Sequence, residues 1–277
     1  MDLSIIIVSW NVKEKLRANL SALLASKGDF RREIFVVDNF SQDGSATMVA
    51  SEFSEVKLIA NQENLGFAKA NNQAIKLASG RYILLLNPDM RVYPDTLQKS
   101  LAWARDNQSA VVSGCRLEDE QGKLIKHVRR FPKLLDQLVI ILKLPHIFPN
   151  INSRYLYTNF NYDQAAQVDS VRGAFFLINT EAYQKISQGA PLLLDEQYFI
   201  WFEEVDFCRQ VYKFGGEVWY QSNATCLDYV GQSFKQVNRK NKQKYFCDSM
   251  LKYFRKWKPK WQAKILTYAW RWVGMFI

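Results

Sequence analysis

The sequence has few of the residues that build metal clusters or disulfide frameworks. It contains four cysteines and two histidines in 277 residues, and no two cysteines have the C-x-x-C spacing. Structural zinc sites and disulfide-rich scaffolds require such clusters. We therefore expect neither, and we expect reduced thiols in a cytoplasmic protein.

Motifs for common nucleotide cofactors and for secretion are also missing. Neither G-x-G-x-x-G nor G-x-x-x-x-G-K-[ST] occurs, so dinucleotide-dependent redox chemistry and P-loop hydrolysis lose their main sequence support. The first apolar run, Leu3 to Val8, is short and follows Asp2 rather than a basic leader. We expect no signal peptide.

Net positive charge is lacking from most of the chain, although the formal net charge of the whole is +10. Residues 232–277 hold twelve lysines and arginines and a single acid, Asp248, which leaves 25 basic and 26 acidic residues elsewhere. A nearly neutral body with one basic tail differs from a uniformly basic protein. We therefore expect no nucleic-acid partner. Salt-sensitive duplex binding through the tail is the alternative.

The stretch Arg81 to Met90 indicates a central strand of a parallel sheet. Its apolar run, Ile83 to Leu86, shows no polar alternation, as expected for a strand covered on both faces, and Asn87-Pro88-Asp89 ends it. Further strands are predicted over 3–8, 33–37, 56–60, 110–114, 169–179, 192–196 and 217–220, with helices between the early ones and a helix over 198–214. Residues 127–167 are predicted to be irregular. This alternation predicts an α/β fold with right-handed crossovers, whose loops share one edge.

Carboxylates follow several of these strands. Asp38 and Asp89 stand at strand ends, three acids lie between Glu203 and Asp206, and Asp228 lies near the end of the body. Hard oxygen ligands suit Mg²⁺ or Mn²⁺, which bind through one or two carboxylates together with substrate phosphates. The pattern predicts a divalent-cation site and a phosphate-bearing substrate.

Seven motifs together resemble a known family, the inverting family 2 glycosyltransferases of GT-A fold, and in particular the bacterial rhamnosyltransferase-like members. They span residues 4–233 in the family's order: SIIIVSWN, VVDNFSQDGS, NLGFAKANN, LLLNPDM, RGAFFLI, LDEQYFIWFEEVDFCRQ and DYVGQS. The resemblance implies a Rossmann-like, mostly parallel central sheet flanked by helices. It also implies transfer of a sugar from a nucleoside diphosphate sugar to an acceptor hydroxyl.

The resemblance assigns roles to individual residues. Asp38 contacts the nucleotide base, Asp89 of Asn87-Pro88-Asp89 holds the metal on the diphosphate, and Glu204 is the general base, with Glu203 as runner-up. Many members have His where Asp228 stands, so Asp228 is expected as a second metal contact. Further donor-binding residues are expected at Ser9, Asn11, Ser41, Asp43, Asn64, Gly66, Asn87 and Gly173.

Helical geometry refines the choice among the clustered acids. Arg209 follows Asp206 by three residues, close enough on a helix to pair with it, which makes Asp206 structural. Glu203 and Glu204 differ by about 100° around the helix, so both should not face the sugar carbon. Glu204 is preferred because it occupies the position of the base in the family's Glu-Asp pair.

The chain is predicted to comprise a glycosyltransferase domain over 1–233 and a basic amphipathic helical tail over 234–277. The domain would consist of a nucleotide-sugar half, 1–115, and an acceptor and catalytic half, 116–233. The tail's apolar residues are Trp261, Ile265, Trp270, Trp272 and Phe276, too few to span a bilayer. It is expected to lie on the anionic inner face of the membrane. Packing on the body or formation of a homodimer is the alternative.

The resemblance favours dTDP-rhamnose as donor, then UDP-sugars, and a lipid-linked or cell-surface polysaccharide as acceptor. One alternative from another class stays open: a catalytically inactive Rossmann-like nucleotide-binding module with a membrane- or nucleic-acid-binding tail. The acids Asp38, Asp89 and Glu204 argue against it.

Overall fold

A computed structural model describes residues 1–231 and 235–274, in which one sheet organises the chain. The strands are β1 (Leu3–Ser9), β2 (Arg32–Asp38), β3 (Val56–Ala60), β4 (Tyr82–Leu86), β5 (Met90–Val92), β6 (Ala110–Glu118), β7 (Ala166–Gln167), β8 (Phe175–Asn179) and β9 (Glu217–Asp228). The helices are α1 (Lys13–Leu24), α2 (Ser45–Glu52), α3 (Phe67–Ile75), α4 (Thr96–Asp106), α5 (Leu134–Ile141), α6 (Pro149–Leu156), α7 (Thr180–Ile186), α8 (Glu203–Lys213), α9 (Arg239–Trp257) and α10 (Lys260–Gly274).

The sheet is mostly parallel, as predicted. Its order is β3-β2-β1-β4-β8-β6-β9-β5, with β7 paired to β9. Strands β1 to β4, β6 and β9 run in one direction. The first four do so because α1, α2 and α3 carry the chain back across the sheet between them. The expectation of a parallel sheet does not hold for β5, β7 and β8, which run antiparallel to their neighbours. They follow irregular connections rather than single crossover helices.

Both faces of the sheet are covered by hydrophobic core. In β1, Ile5 and Ile7 belong to one buried cluster, whereas Ile6 and Val8 belong to the other. Every residue of β4 is buried, which explains its unbroken apolar sequence. The strand predicted around Ile83 is therefore confirmed as a central strand.

Several predicted elements differ from the observed ones. The strand predicted over 169–179 is confined to β8, residues 192–196 form no strand, and the region predicted to be irregular contains α5 and α6. The helix predicted from residue 198 begins at Glu203. Trp201 and Phe202 precede it with φ of 62° and 71°, values that a right-handed helix cannot accommodate.

The predicted tail divides into two structural parts. Its start at residue 234 and its last residues, 275–277 with Phe276 among them, lie outside the described residues. Helix α9 buries Cys247, Met250, Tyr253 and Phe254 in the same core as the sheet. Helix α9 is thus part of the body rather than an appendage, and α10 packs against both α9 and α5.

Candidate active site

A cavity of about 470 Å³ opens at the edge of the sheet where β1, β2 and β4 end. In a parallel sheet, the carboxyl ends of the strands are where ligands bind. Seven of the predicted site residues line this cavity: Asn64, Gly66, Asn87, Asp89, Gly173, Glu203 and Glu204. They come from four separate segments of the chain, which the fold brings to one edge.

The backbone around Asn87 is fixed from two sides. Its N–H donates to the carbonyl of Ala174 at 3.0 Å, and the side chain of Asn19 in α1 donates to the carbonyl of Asn87 at 2.8 Å. Asp89, only 3% exposed, follows at the start of β5. Because β5 pairs with β9, Met90 lies opposite Asp228, and this register brings the two predicted metal ligands close together.

Arg172 is a cavity residue to which the sequence alone assigned no role. Its guanidinium donates to the carboxylate of Asp228 at 2.7 Å. Burial raises the pKa of Asp228, the charge on Asp89 raises it further, and Arg172 opposes both effects. The motif RGAFFLI contains this arginine, so a signal for it was present in the sequence.

The residues present fit a divalent cation held jointly with a substrate. Within 1–231 and 235–274, no three His, Cys, Asp or Glu side chains are grouped as a complete metal cage. Asp89 and Asp228 instead form a pair of buried carboxylates close enough for one charge to raise the pKa of the other. Mg²⁺ characteristically binds one or two carboxylates and completes its shell with phosphate oxygens and water.

Glu203 and Glu204 are the first two residues of α8, and both line the cavity. The expectation that both should not face the sugar carbon stays a prediction, although the start of the helix brings both side chains to the cavity. One carboxylate oxygen of each is buried and has no hydrogen-bond partner among the described residues. Such oxygens are costly to bury, which marks them as functional candidates.

The environments of the two glutamates differ. Burial raises the pKa of Glu203 well above its usual range, and the neighbouring Glu204 raises it further. Burial also raises the pKa of Glu204, but backbone N–H groups at the helix start and the Arg172 guanidinium oppose that increase. A shared proton therefore favours Glu203 and leaves Glu204 as the more readily ionised member of the pair.

Asp206 is structural, as predicted, but its predicted partner was wrong. Arg209 lies over the ring of Phe131, 4.7 Å from its centroid. Asp206 instead accepts from Lys256 at 2.7 Å, from the indole of Trp257 at 2.6 Å and from the hydroxyl of Tyr198 at 3.1 Å. Sequence spacing could not reveal this, because two of the donors lie about fifty residues away in α9.

Helix α9 also contributes directly to the cavity. Its Tyr245 lines the opening and packs on Phe199, with ring centroids 5.0 Å apart. Ser249 donates to the carbonyl of Ile200 at 2.7 Å and so fixes the segment that precedes α8. Part of the predicted tail is thus built into the candidate active site, a contribution that the sequence analysis missed.

The loops after β2 and β3 form the other wall. Asn39 donates to Asn64 at 2.8 Å, and the N–H of Phe67 donates to the carbonyl of Phe199 at 2.7 Å. Gly66 has φ of +82°, and a Cβ there would lie 2.5 Å from the Phe199 oxygen. Only glycine permits this close approach, so Gly66 contributes to the site by letting the two segments of the wall pack together.

Asp38 is the last residue of β2, directly before Asn39 of this wall, and is 3% exposed. One carboxylate oxygen accepts from the N–H of Ser41 at 2.9 Å, whereas the other is buried and has no partner among the described residues. The hydroxyl of Ser9 is likewise buried without a partner. Buried polar atoms that lack a partner are candidates for contact with a ligand, although neither residue lines the cavity.

The remaining predicted donor-binding residues hold the loops together and do not line the cavity. The backbone N–H of Asn11 donates to the Ser41 hydroxyl at 3.0 Å. Asp43 accepts from the N–H of Lys13 at 2.8 Å and from Ser45. Burial tends to raise the pKa of Asp43, but these donors lower it overall. Asp43 thereby ties the first turns of α1 and α2 together.

Comparison with solved structures shows the same architecture at low sequence identity. Mannosyltransferase PcManGT from Pyrobaculum calidifontis, in complex with GDP-Man and Mn²⁺, matches with a TM-score of 0.58 at 17% identity, covering 96% of this chain and 68% of the other. TarS 1-349 from S. aureus, in complex with UDP-GlcNAc, matches with a TM-score of 0.56 at 17% identity, covering 86% and 62%. These matches confirm the predicted GT-A fold.

Curated relatives include rhamnosyltransferases. Rhamnosyltransferase WbbL of Escherichia coli is 25% identical over 173 residues, 60% of this chain and 61% of WbbL. The N-acetylglucosaminyl-diphospho-decaprenol L-rhamnosyltransferase of Mycobacterium tuberculosis is 22% identical over 212 residues, 72% of this chain and 67% of that enzyme. The chain spans only 30% of the uncharacterized glycosyltransferase YfnE of Bacillus subtilis, with 33% identity over 116 residues.

The family model for glycosyl transferase family 2 matches residues 4–186, about two thirds of the chain. The matched range includes Asp38, Asp89 and Arg172, while Glu203 and Glu204 follow it on the same cavity wall. The cavity, its carboxylates and this match lead to one conclusion: the chain belongs to glycosyl transferase family 2.

Proposed function

We propose that this glycosyltransferase is inverting and uses a divalent metal to move a sugar from a nucleoside diphosphate sugar to a hydroxyl of a lipid-linked saccharide. The observation that carries the proposal is the convergence of Asp89, Glu203 and Glu204 on one cavity, where each glutamate has a buried oxygen without a partner in the part of the chain that the structure describes. A catalytically inactive binding module has no need to bury two such carboxylates.

On the donor side, Asp38 is proposed to accept from the nucleotide base through its unpartnered oxygen. Asp89, with Asp228 beside it, is proposed to hold Mg²⁺ or Mn²⁺ on the diphosphate. The metal would supply charge neutralisation for the departing nucleoside diphosphate. Arg172 holds the Asp228 carboxylate in place and adds a positive charge near the same phosphates.

On the acceptor side, Glu204 is proposed as the general base. The acceptor oxygen forms a bond to the anomeric carbon, its proton moves to the Glu204 carboxylate, and the bond from that carbon to the diphosphate oxygen breaks with its electron pair leaving on the nucleoside diphosphate. A single displacement of this kind inverts the anomeric configuration. The nearby Arg172 favours the ionised form of Glu204 that this role requires.

The donor and acceptor classes that we propose are inferred from the names of the relatives. Two relatives are named as rhamnosyltransferases, and one of these names specifies a diphospho-decaprenol acceptor. We infer that dTDP-rhamnose or a UDP-sugar is the donor and that the acceptor is carried by a lipid diphosphate. We propose that the enzyme acts on such an acceptor at the cytoplasmic face of a membrane, attached peripherally through its basic C-terminal region.

Ligand-dependent thermal stability tests the donor side. A nucleoside diphosphate at about 100 times its Kd, with Mn²⁺, should stabilise the full chain by about 2.7 kcal/mol, because it binds only the folded state. Asp89→Asn should remove the metal-dependent part of the shift, and Asp38→Ala should weaken the base-dependent part. No shift with any nucleotide or nucleotide sugar would contradict the proposal.

A further inference from the structure

Helix α10 has two apolar faces on opposite sides. One face, formed by Ala263, Leu266 and Val273 with Trp270 beside them, packs into the core. The other comprises Trp261, Ile265, Tyr268 and Trp272, which are 54%, 39%, 68% and 55% exposed. At about 100° per residue, these four fall within an arc of about 60°, on the side of the helix away from the body. We call them the outer face.

The first of these faces is buried in the core, whereas the outer face is largely exposed. An amphipathic helix at a protein surface normally presents polar residues to water, so a second contiguous row of aromatic residues indicates a contact with something other than water. Among the apolar residues that the sequence analysis named in the tail, Trp270 packs inward, whereas Tyr268, which was not named there, is the most exposed residue of the outer face.

The charged residues beside the outer face indicate which kind of partner it contacts. Lys260, Lys264 and Arg271 flank the outer face, and no acidic residue follows Asp248 in the chain. Just before α10, burial lowers the pKa of Lys258, the charges of Arg209 and Lys133 lower it further, and Asp136 opposes them. Tryptophan and tyrosine beside lysine and arginine match the interface of a bilayer that contains anionic lipid.

The neighbouring segment presents apolar residues as well. Helix α5, against which α10 packs, exposes Leu135 by 60%, and the turn before α6 exposes Ile147 and Phe148 by 56% and 45%. These residues lie in the stretch that the sequence predicted to be irregular. No helix in the described parts of the chain has the length and apolarity to cross a bilayer.

We propose that the outer face of α10 and the exposed apolar residues of the α5–α6 segment form one docking surface for an anionic lipid bilayer, with α10 lying parallel to it. This inference rests on the proposed lipid-linked acceptor and adds the residues that bring the enzyme to it. Since α10 follows Trp257, whose indole binds Asp206 in the catalytic helix α8, a docked α10 fixes the cavity relative to the lipid surface.

Vesicle co-sedimentation of the full chain tests the docking surface. Vesicles of phosphatidylcholine with 30% phosphatidylglycerol should bind it, and vesicles of phosphatidylcholine alone should bind it far less. Trp261→Ser/Tyr268→Ser should abolish binding. Lys260→Gln/Lys264→Gln should weaken it by about 25-fold, since each basic residue near anionic lipid contributes about fivefold. Leu77→Ser, an equally exposed apolar residue in the nucleotide-sugar half, is the matched control and should bind like the unmodified chain.

Three results would overturn the inference. The first is that Trp261→Ser/Tyr268→Ser binds the vesicles as well as the unmodified chain does, and the second is that the unmodified chain does not bind them. The third is that the unmodified chain is a dimer in solution, which this double variant converts to a monomer. Unchanged binding by Phe148→Ser would remove the α5–α6 segment from the surface. All variants should keep the unmodified Tm and the nucleotide-dependent shift in Tm, so a failure of docking is distinguishable from a failure of the proposed function.

Discussion

The ion pair between Asp206 and Lys256 connects α8, the helix of the proposed general base, to α9, and its removal gives a sharp prediction. The Asp206 side chain is 2% exposed, whereas that of Lys256 is 33% exposed. Breaking a buried pair costs about 3–5 kcal/mol, and because water reaches Lys256 we expect about 2–3 kcal/mol for Asp206→Asn. At about 2–4 °C per kcal/mol, Tm should fall by roughly 5–10 °C.

The assay is thermal unfolding of the full chain combined with a double-mutant cycle. Lys256→Met should lower Tm to a similar extent, and the double variant should lose at least about 1 kcal/mol less than the sum of the single variants. Lys244→Met, an exposed position on the same helix, is the control and should leave Tm unchanged. Additive losses, or an Asp206→Asn variant as stable as the unmodified protein, would refute the claim that α9 holds α8 in place.

Further predictions concern the cavity carboxylates. Glu204→Gln should lower kcat by about 10² to 10⁴ with donor binding little changed. The acidic limb of the pH profile is expected above the usual glutamate range because the pKa of Glu204 is raised, and this limb should disappear in Glu204→Gln. The same pattern in Glu203→Gln alone would exchange the two roles. Burial in the fold raises the pKa of Glu203, so the stability that the fold draws from the protonated side chain is present at low pH and lost as pH rises. Glu203→Gln should therefore raise Tm more at pH 8 than at pH 4.5. Asp89→Asn should abolish chelator-sensitive turnover with the fold intact, and Asp228→Asn should have a smaller effect of the same kind. Asp38→Ala should raise the donor KM, measured by steady-state kinetics, with kcat less affected.

The sequence best predicted those site residues whose position follows from the order of strands and loops along the chain. The end of β4 at Asn87 and the loops containing Asp38 and Asn64 could be placed, because strand ends in an α/β sheet meet at one edge. The acids at the start of α8 were also found. The boundary of α8 was not, because two residues with positive φ, Trp201 and Phe202, interrupt a pattern that otherwise indicates helix.

Contacts between distant segments could not be predicted. The pairing of Asp206 with Lys256 and Trp257, and the packing of Tyr245 on Phe199, join elements about fifty residues apart. Composition assigned all of residues 234–277 to one basic tail. The structure separates them by burial instead, since α9 completes the cavity wall and α10 presents its aromatic residues outward.

The most direct test of the central claim is the stereochemistry of the transferred sugar. The full chain, Mn²⁺, the donor identified by thermal shift and a lipid-diphosphate saccharide should release one nucleoside diphosphate per new glycosidic bond. NMR of the product should show an anomeric configuration opposite to that of the donor, and Glu204→Gln should form little product. Retention of configuration, or undiminished transfer by both Glu204→Gln and Glu203→Gln, would contradict the account.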